Sequence, residues 1–154
     1  MEYLVAKWVH IVSSTFLFGT GLGSAFYMFF ASRTREPRVV AVVVRYVVIA
    51  DWVFTTPTII LQPASGFYLA HLAGFPLTLQ WLYWSIILFA VAVAAWLPVV
   101  WMQVRMRDMA THAVKSHSAL PERYWTYLRT WVALGIVAFV ALVAVFFLMV
   151  VKPV

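Results

Sequence analysis

Cysteine is absent from the chain, which excludes disulfides, zinc–thiolate sites and iron–sulfur clusters. Charge is scarce as well. Asp, Glu, Lys and Arg make up 10% of the residues, against 65% that are hydrophobic. That is far from soluble globular usage and points to a membrane protein. Acidic residues are the rarest charges, five against eleven Lys and Arg, so the net charge is +6. A basic balance can serve nucleic acid. Here the charges sit in short connections beside apolar runs, a pattern of membrane orientation, and no nucleic-acid partner is expected. No Ser-His-Asp triad, phosphate loop, catalytic carboxylate pair or internal repeat is visible.

What is present is apolar sequence in long runs. Four of them, roughly 3–30, 44–70, 80–104 and 125–150, exceed the ~20 residues that cross a bilayer as a helix. Backbone groups in lipid must be paired internally, so each run is expected to be helical. The expected fold is all-α: a single four-helix transmembrane domain over residues 1–154, with the lipid bilayer as its surroundings. The first run has no basic segment before it and no A-x-A-like cleavage site, so a retained helix is expected rather than a signal peptide.

The connections differ in charge. "ASRTREPRVVAVVVRY" (31–46) carries Arg33, Arg35, Arg38 and Arg45. "VRMRDMATHAVKSHSALPERYWTYLR" (104–129) carries Arg105, Arg107, Lys115, Arg123 and Arg129, whereas "HLAGFPLTLQ" (71–80) carries no charge. By the positive-inside rule both basic connections are cytoplasmic and both termini lie outside, as expected of a multi-pass protein of a bacterial inner membrane. Trp8, Trp81, Trp84, Trp101, Trp125 and Trp131 fall near the ends of the runs, where an interface belt is expected.

Polar residues inside the runs are the candidates for function. In "DWVFTTPTIILQPASG", Asp51, Thr55, Thr58, Gln62 and Ser65 are spaced by four, three, four and three, which is one face of a helix. Such a stripe faces the bundle interior or a wet cavity. Pro57 and Pro63 interrupt the same helix and free carbonyls. Asp51 needs a partner in the membrane, and Arg129 in the fourth run is the expected one. The pair reads equally as structural or as proton-handling. The hydroxyls read also as interhelical glue.

In the first run, Lys7 and His10 lie a helical turn apart, and Ser14 and Gly21 continue the side of Lys7. Small residues from Gly19 to Ala25 invite close approach of a helix or a flat ligand. A membrane-embedded His10 either bonds a neighbouring helix or ligates a metal, most naturally haem iron. His71, at the end of the second run, is the candidate second ligand, although it lies roughly opposite the polar stripe. Met149 is a weaker candidate. His112 and His117 read as solvated.

These landmarks together resemble HemJ-type protoporphyrinogen oxidases, within the wider group that includes CopD-like membrane proteins. The chain reads "KWVHI" at the Lys-x-x-His-Ile opening and "TPTIILQPASG" where Thr-Pro is followed by Ser65 and Gly66. It reads "RYW" at 123–125 and "KP" at 152–153 around the last span. "FLFGTGLGSAFYM" and "ADWVFTTPTIILQPASG" look more closely like a bacterial inner-membrane family known as a domain of unknown function. The HemJ resemblance implies haem b in a four-helix bundle, with His10 as prime ligand and Lys7 as the motif lysine, and oxidation of a tetrapyrrole. The chain departs from that pattern in the third run, where "QWLYWSI" has Tyr83 and Ser85 in place of His and Lys.

Two functions from different classes therefore stand as expectations. One is a haem-b membrane redox protein, an oxidase or an electron-transfer subunit with quinone or a tetrapyrrole as partner. It would use Lys7, His10, Ser14 and Gly21 to hold the cofactor, His10 and His71 as metal ligands, and Asp51, Gln62 and Arg129 for the chemistry. The other is a metal-free module, transporter-like, copper-handling or scaffolding, that uses the polar stripe of the second span. Copper pathways favour clustered Met, Cys and His, whereas the Met residues here are scattered. A homo-oligomer or a subunit of a respiratory assembly fits either.

Overall fold

The computed structural model describes residues 1–153, and no strand occurs among them. Helix α1 spans Glu2–Arg33, α2 Pro37–Ala50, α3 Thr56–Leu72, α4 Gln80–Lys115 and α5 Glu122–Val151, and a π-helical turn at Asp51–Thr55 joins α2 to α3. Since α2, the π turn and α3 form one rod, the described residues form four helical rods long and apolar enough to span a membrane. The all-helical, four-span architecture expected of the sequence is the one observed.

The rods outrun the apolar stretches. α4 has 36 residues, about 54 Å at 1.5 Å each, whereas a bilayer core is about 30 Å thick. Residues 104–115, expected as loop, are therefore a helical extension of α4, and 37–43 are the first turns of α2. Arg and Lys are good helix formers, so charge ends a membrane span without ending a helix. The ends themselves are set by local chemistry. Glu36 accepts a hydrogen bond from the Arg38 N–H at 3.4 Å, and Pro37 occupies the first turn of α2. Gly74 sits at φ 67°, a backbone state that glycine takes without penalty. There the Gly74 and Phe75 N–H groups return to the carbonyls of His71 and Ala70, closing α3.

All four rods meet at the end that carries the basic residues. Met28, Val44, Met106 and Tyr124 come from four different helices and are fully buried in one cluster. The Tyr124 hydroxyl shares a 2.7 Å hydrogen bond with Ser32 Oγ, which itself donates to the Met28 carbonyl at 2.8 Å. The other end holds a smaller cluster of Ala70, Trp81 and Leu82, with Met149 packed against it. Between the two clusters, α1 leans mainly on α3 and α4 on α5, while α1 and α5 touch sparsely. A cavity opens along that seam.

Candidate functional site

Pro57 explains the π turn. It has no N–H for the Val53 carbonyl, and its ring crowds that turn. The backbone widens instead, so that the Thr56 N–H bonds to the Asp51 carbonyl five residues back, with the Thr56 hydroxyl on the same oxygen at 2.9 Å. Such turns are rare and recur at functional sites. The wider turn shifts the phase of the polar stripe and divides it between two neighbours.

The outer half of the stripe ties α3 to α1. Ser65 Oγ lies 2.8 Å from His10 Nδ1, and Gln62 Nε2 lies 3.1 Å from His10 Nε2. The single Ser13 hydroxyl proton has two acceptors in reach, Gln62 Oε1 and the His10 carbonyl. Gly66 is what lets the imidazole in, since a Cβ there would stand 3.2 Å from His10 Cε1. Close approach was expected at Gly19, Gly21 and Gly23, but an added Cβ at any of them would meet nothing within 4 Å. The contact is made instead by the one glycine of α3.

The inner half of the stripe faces the cavity, whose volume is about 440 Å3. Asp51 and Thr55 enter it from the π turn, Trp96 and Gln103 from α4, and Trp131 from α5. Thr55 donates to Asp51 Oδ1 at 2.9 Å. Four other buried polar atoms here have no hydrogen-bond partner: Asp51 Oδ2, Gln103 Oε1, Trp96 Nε1 and Trp131 Nε1. Asp51, Gln103 and Trp131 are each at most 5% exposed. A buried polar group left unpaired costs about 1–3 kcal/mol, so two unpaired acceptors and two unpaired donors on side chains around one space is a strong departure from ordinary packing. The remaining wall is apolar, with Phe18, Phe29, Phe89 and Phe139 among its residues. Leu22, Phe26, Phe30 and Ile136 line it too and are exposed, so it opens toward the lipid.

Asp51 does not pair with Arg129. The ion pair formed among the described residues is Arg107–Asp108, and Arg129 is exposed. Residues 129 and 131 lie about 200° apart around a helix. With Trp131 turned into the cavity, Arg129 must point away from it. Trp131 and Trp81, expected in the interface belt, are buried instead at 5% and 8% exposure. Gln62 joins the His10 tie rather than Asp51, from which eleven positions along the rod separate it.

Nor do Lys7, His10, Ser14 and Gly21 form one site. Lys7 is exposed, Ser14 donates back to the Ile11 carbonyl at 2.7 Å, and Gly21 lines the Asp51 cavity. Eleven residues of helix separate Gly21 from His10, about 17 Å, which places them at different depths. His71 is exposed. It stands about 190° around α3, and more than a turn beyond, from the Ser65–Gly66 face that meets His10, so the two imidazoles cannot face one iron. Both nitrogens of His10 already have partners. The residues present therefore do not fit a haem held between His10 and His71. No group of three or more His, Cys, Asp or Glu side chains arranged for a metal occurs among the described residues.

The sequence reading missed Gln103, Trp96 and Ser13. Trp96 and Gln103 are seven apart and share a helix face, which is the signal that could have found them.

Residues 4–153 match the family described as "predicted integral membrane protein (DUF2269)". The chain belongs to this family. No curated protein and no solved structure matches the chain. The match covers all four rods and both halves of the polar stripe. It agrees with the expected membrane family of unknown function and lends no support to a HemJ or CopD-like identity.

Proposed function

We propose that this integral membrane protein is a metal-free binding module whose cavity at Asp51 takes a lipid-soluble ligand of the quinone–quinol class. The observation that carries this reading is that four side chains lining an otherwise apolar, lipid-facing cavity each keep a buried polar atom without a hydrogen-bond partner. A quinone brings two carbonyl acceptors for the Trp96 and Trp131 N–H groups. A quinol brings hydroxyl donors for Asp51 Oδ2 and Gln103 Oε1. The aromatic wall suits a flat ring and its isoprenoid tail, and the opening between α1 and α5 lets the ligand enter from the bilayer. A role as a subunit beside a respiratory assembly follows from that ligand class. The chain itself then needs to supply no iron.

Tryptophan fluorescence tests the proposal, because Trp96 and Trp131 stand at the cavity and quinones quench indole emission. Titration of a short-chain quinone into the detergent-purified protein should give saturable quenching. Asp51→Leu should weaken quinol binding on the order of tenfold or more. Gly135→Phe, which fills open space on the wall, should abolish binding of either form while the protein still elutes as a folded species. Linear, unsaturable quenching that is equal in all three proteins would overturn the reading.

A further inference from the structure

A second cleft lies at the basic end, between α4 and α5, with a volume of about 480 Å3. It shares no residue with the Asp51 cavity. Four of its side chains form a continuous row of neighbours. Arg105 Cζ lies 5.6 Å from the Trp101 ring centroid, and the Trp101 and Tyr127 rings are 5.7 Å apart. Arg123 Cζ lies 5.3 Å from the Tyr127 ring, and its Nε donates to the Tyr127 hydroxyl at 3.1 Å. A guanidinium has five N–H donors, so Arg123 keeps those not spent on Tyr127, and such a planar fork matches a phosphate. Neither arginine has a carboxylate partner among the described residues, because Asp108, which also lines the cleft, is engaged by Arg107 at 2.8 Å. His112 adds a third nitrogen ligand group to the wall. Trp101 stands at the end of the third apolar run and Arg105 one turn beyond it, which places the cleft at the depth of lipid headgroups.

We infer that this cleft is a binding site for a phosphate-bearing anion at the membrane surface, with Arg105 and Arg123 as its recognition groups. The aromatic pair lies beside both guanidinium groups at the wall of the cleft. Two sources carry that chemistry, an anionic phospholipid headgroup and a soluble organic phosphate, and competition separates them.

Native mass spectrometry of the full chain reads the bound lipid directly. The wild type should retain phosphatidylglycerol over phosphatidylcholine. Arg105→Gln with Arg123→Gln should lose that preference on the order of tenfold or more. A control with equal loss of charge outside the cleft, Arg38→Gln with Lys115→Gln, should keep it. Displacement of the lipid by glycerol 3-phosphate would assign the site to a soluble phosphate, and resistance to it would assign the lipid. The inference is overturned if the cleft variant retains as much lipid as the wild type, or if both double variants lose it equally.

Discussion

His10 shows how one side chain can be read two ways from sequence and one way from its surroundings. An imidazole in a membrane helix needs partners, and here both nitrogens have them on α3. The physical role is a tie between helices. Interhelical hydrogen bonds in membranes contribute on average about 0.6 kcal/mol and at most about 2 each. His10→Ala removes two and should destabilise the protein by about 1–3 kcal/mol, seen as a lower thermal midpoint in detergent. Ser65→Ala should do about half as much. Gly66→Ala should also destabilise, although alanine gains up to about 1 kcal/mol in helix propensity. The added Cβ stands 3.2 Å from a ring that is held at both nitrogens and cannot easily shift. The rival role has its own signature. A b-type reduced-minus-oxidised spectrum that disappears in His10→Ala, with the thermal midpoint unmoved, would make His10 a haem ligand and not a tie.

At the scale of the element, the rod Pro37–Leu72 owes the division of its polar face to a defect. Without Pro57 the Val53 carbonyl would find an N–H four residues on, and the π turn could close into an ordinary helix. Losing the extra residue of that turn would rotate everything on its far side by about 100°. Asp51 and Gln62 could then no longer face the cavity and α1 at once. Pro57→Ala should therefore leave the thermal midpoint unchanged or raised while weakening quinone binding at least as much as Asp51→Leu does. Unaltered binding in Pro57→Ala would show that the turn persists without the proline. This coupling was only half legible in the sequence. The spacing of Asp51, Thr55, Thr58, Gln62 and Ser65 announced a polar face, and the prolines announced an interruption. Spacing counted on an ideal helix could not show that the interruption splits the face between two sites.

For the whole molecule, the bilayer made the fold legible, since a long apolar run in lipid has to be a helix. It made the site less so. An apolar run shows that a helix is buried in lipid but not which helices face one another, so the spacing of Trp96 and Gln103 could mark a face but could not set it, or Trp131, across one cavity from Asp51, and Arg129 was paired with Asp51 by depth alone. Sidedness has a separate physical signal. Arg33, Arg35, Arg38, Arg105, Arg107, Lys115 and Arg123 all lie at the end where Met28, Met106 and Tyr124 pack together, while the connection 73–79 at the other end has no charge. From the positive-inside rule we propose that the basic end is cytoplasmic and both termini are outside. Because the chain has no native cysteine, single replacements report on this without background. In right-side-out cells a membrane-impermeant maleimide should label Thr78→Cys and leave Ser118→Cys unlabelled until the membrane is opened. The reverse pattern would place both arginines of the phosphate cleft on the outer surface. The cleft would then face the outer leaflet and whatever anionic headgroups are present there, and the positive-inside argument would fail for this chain.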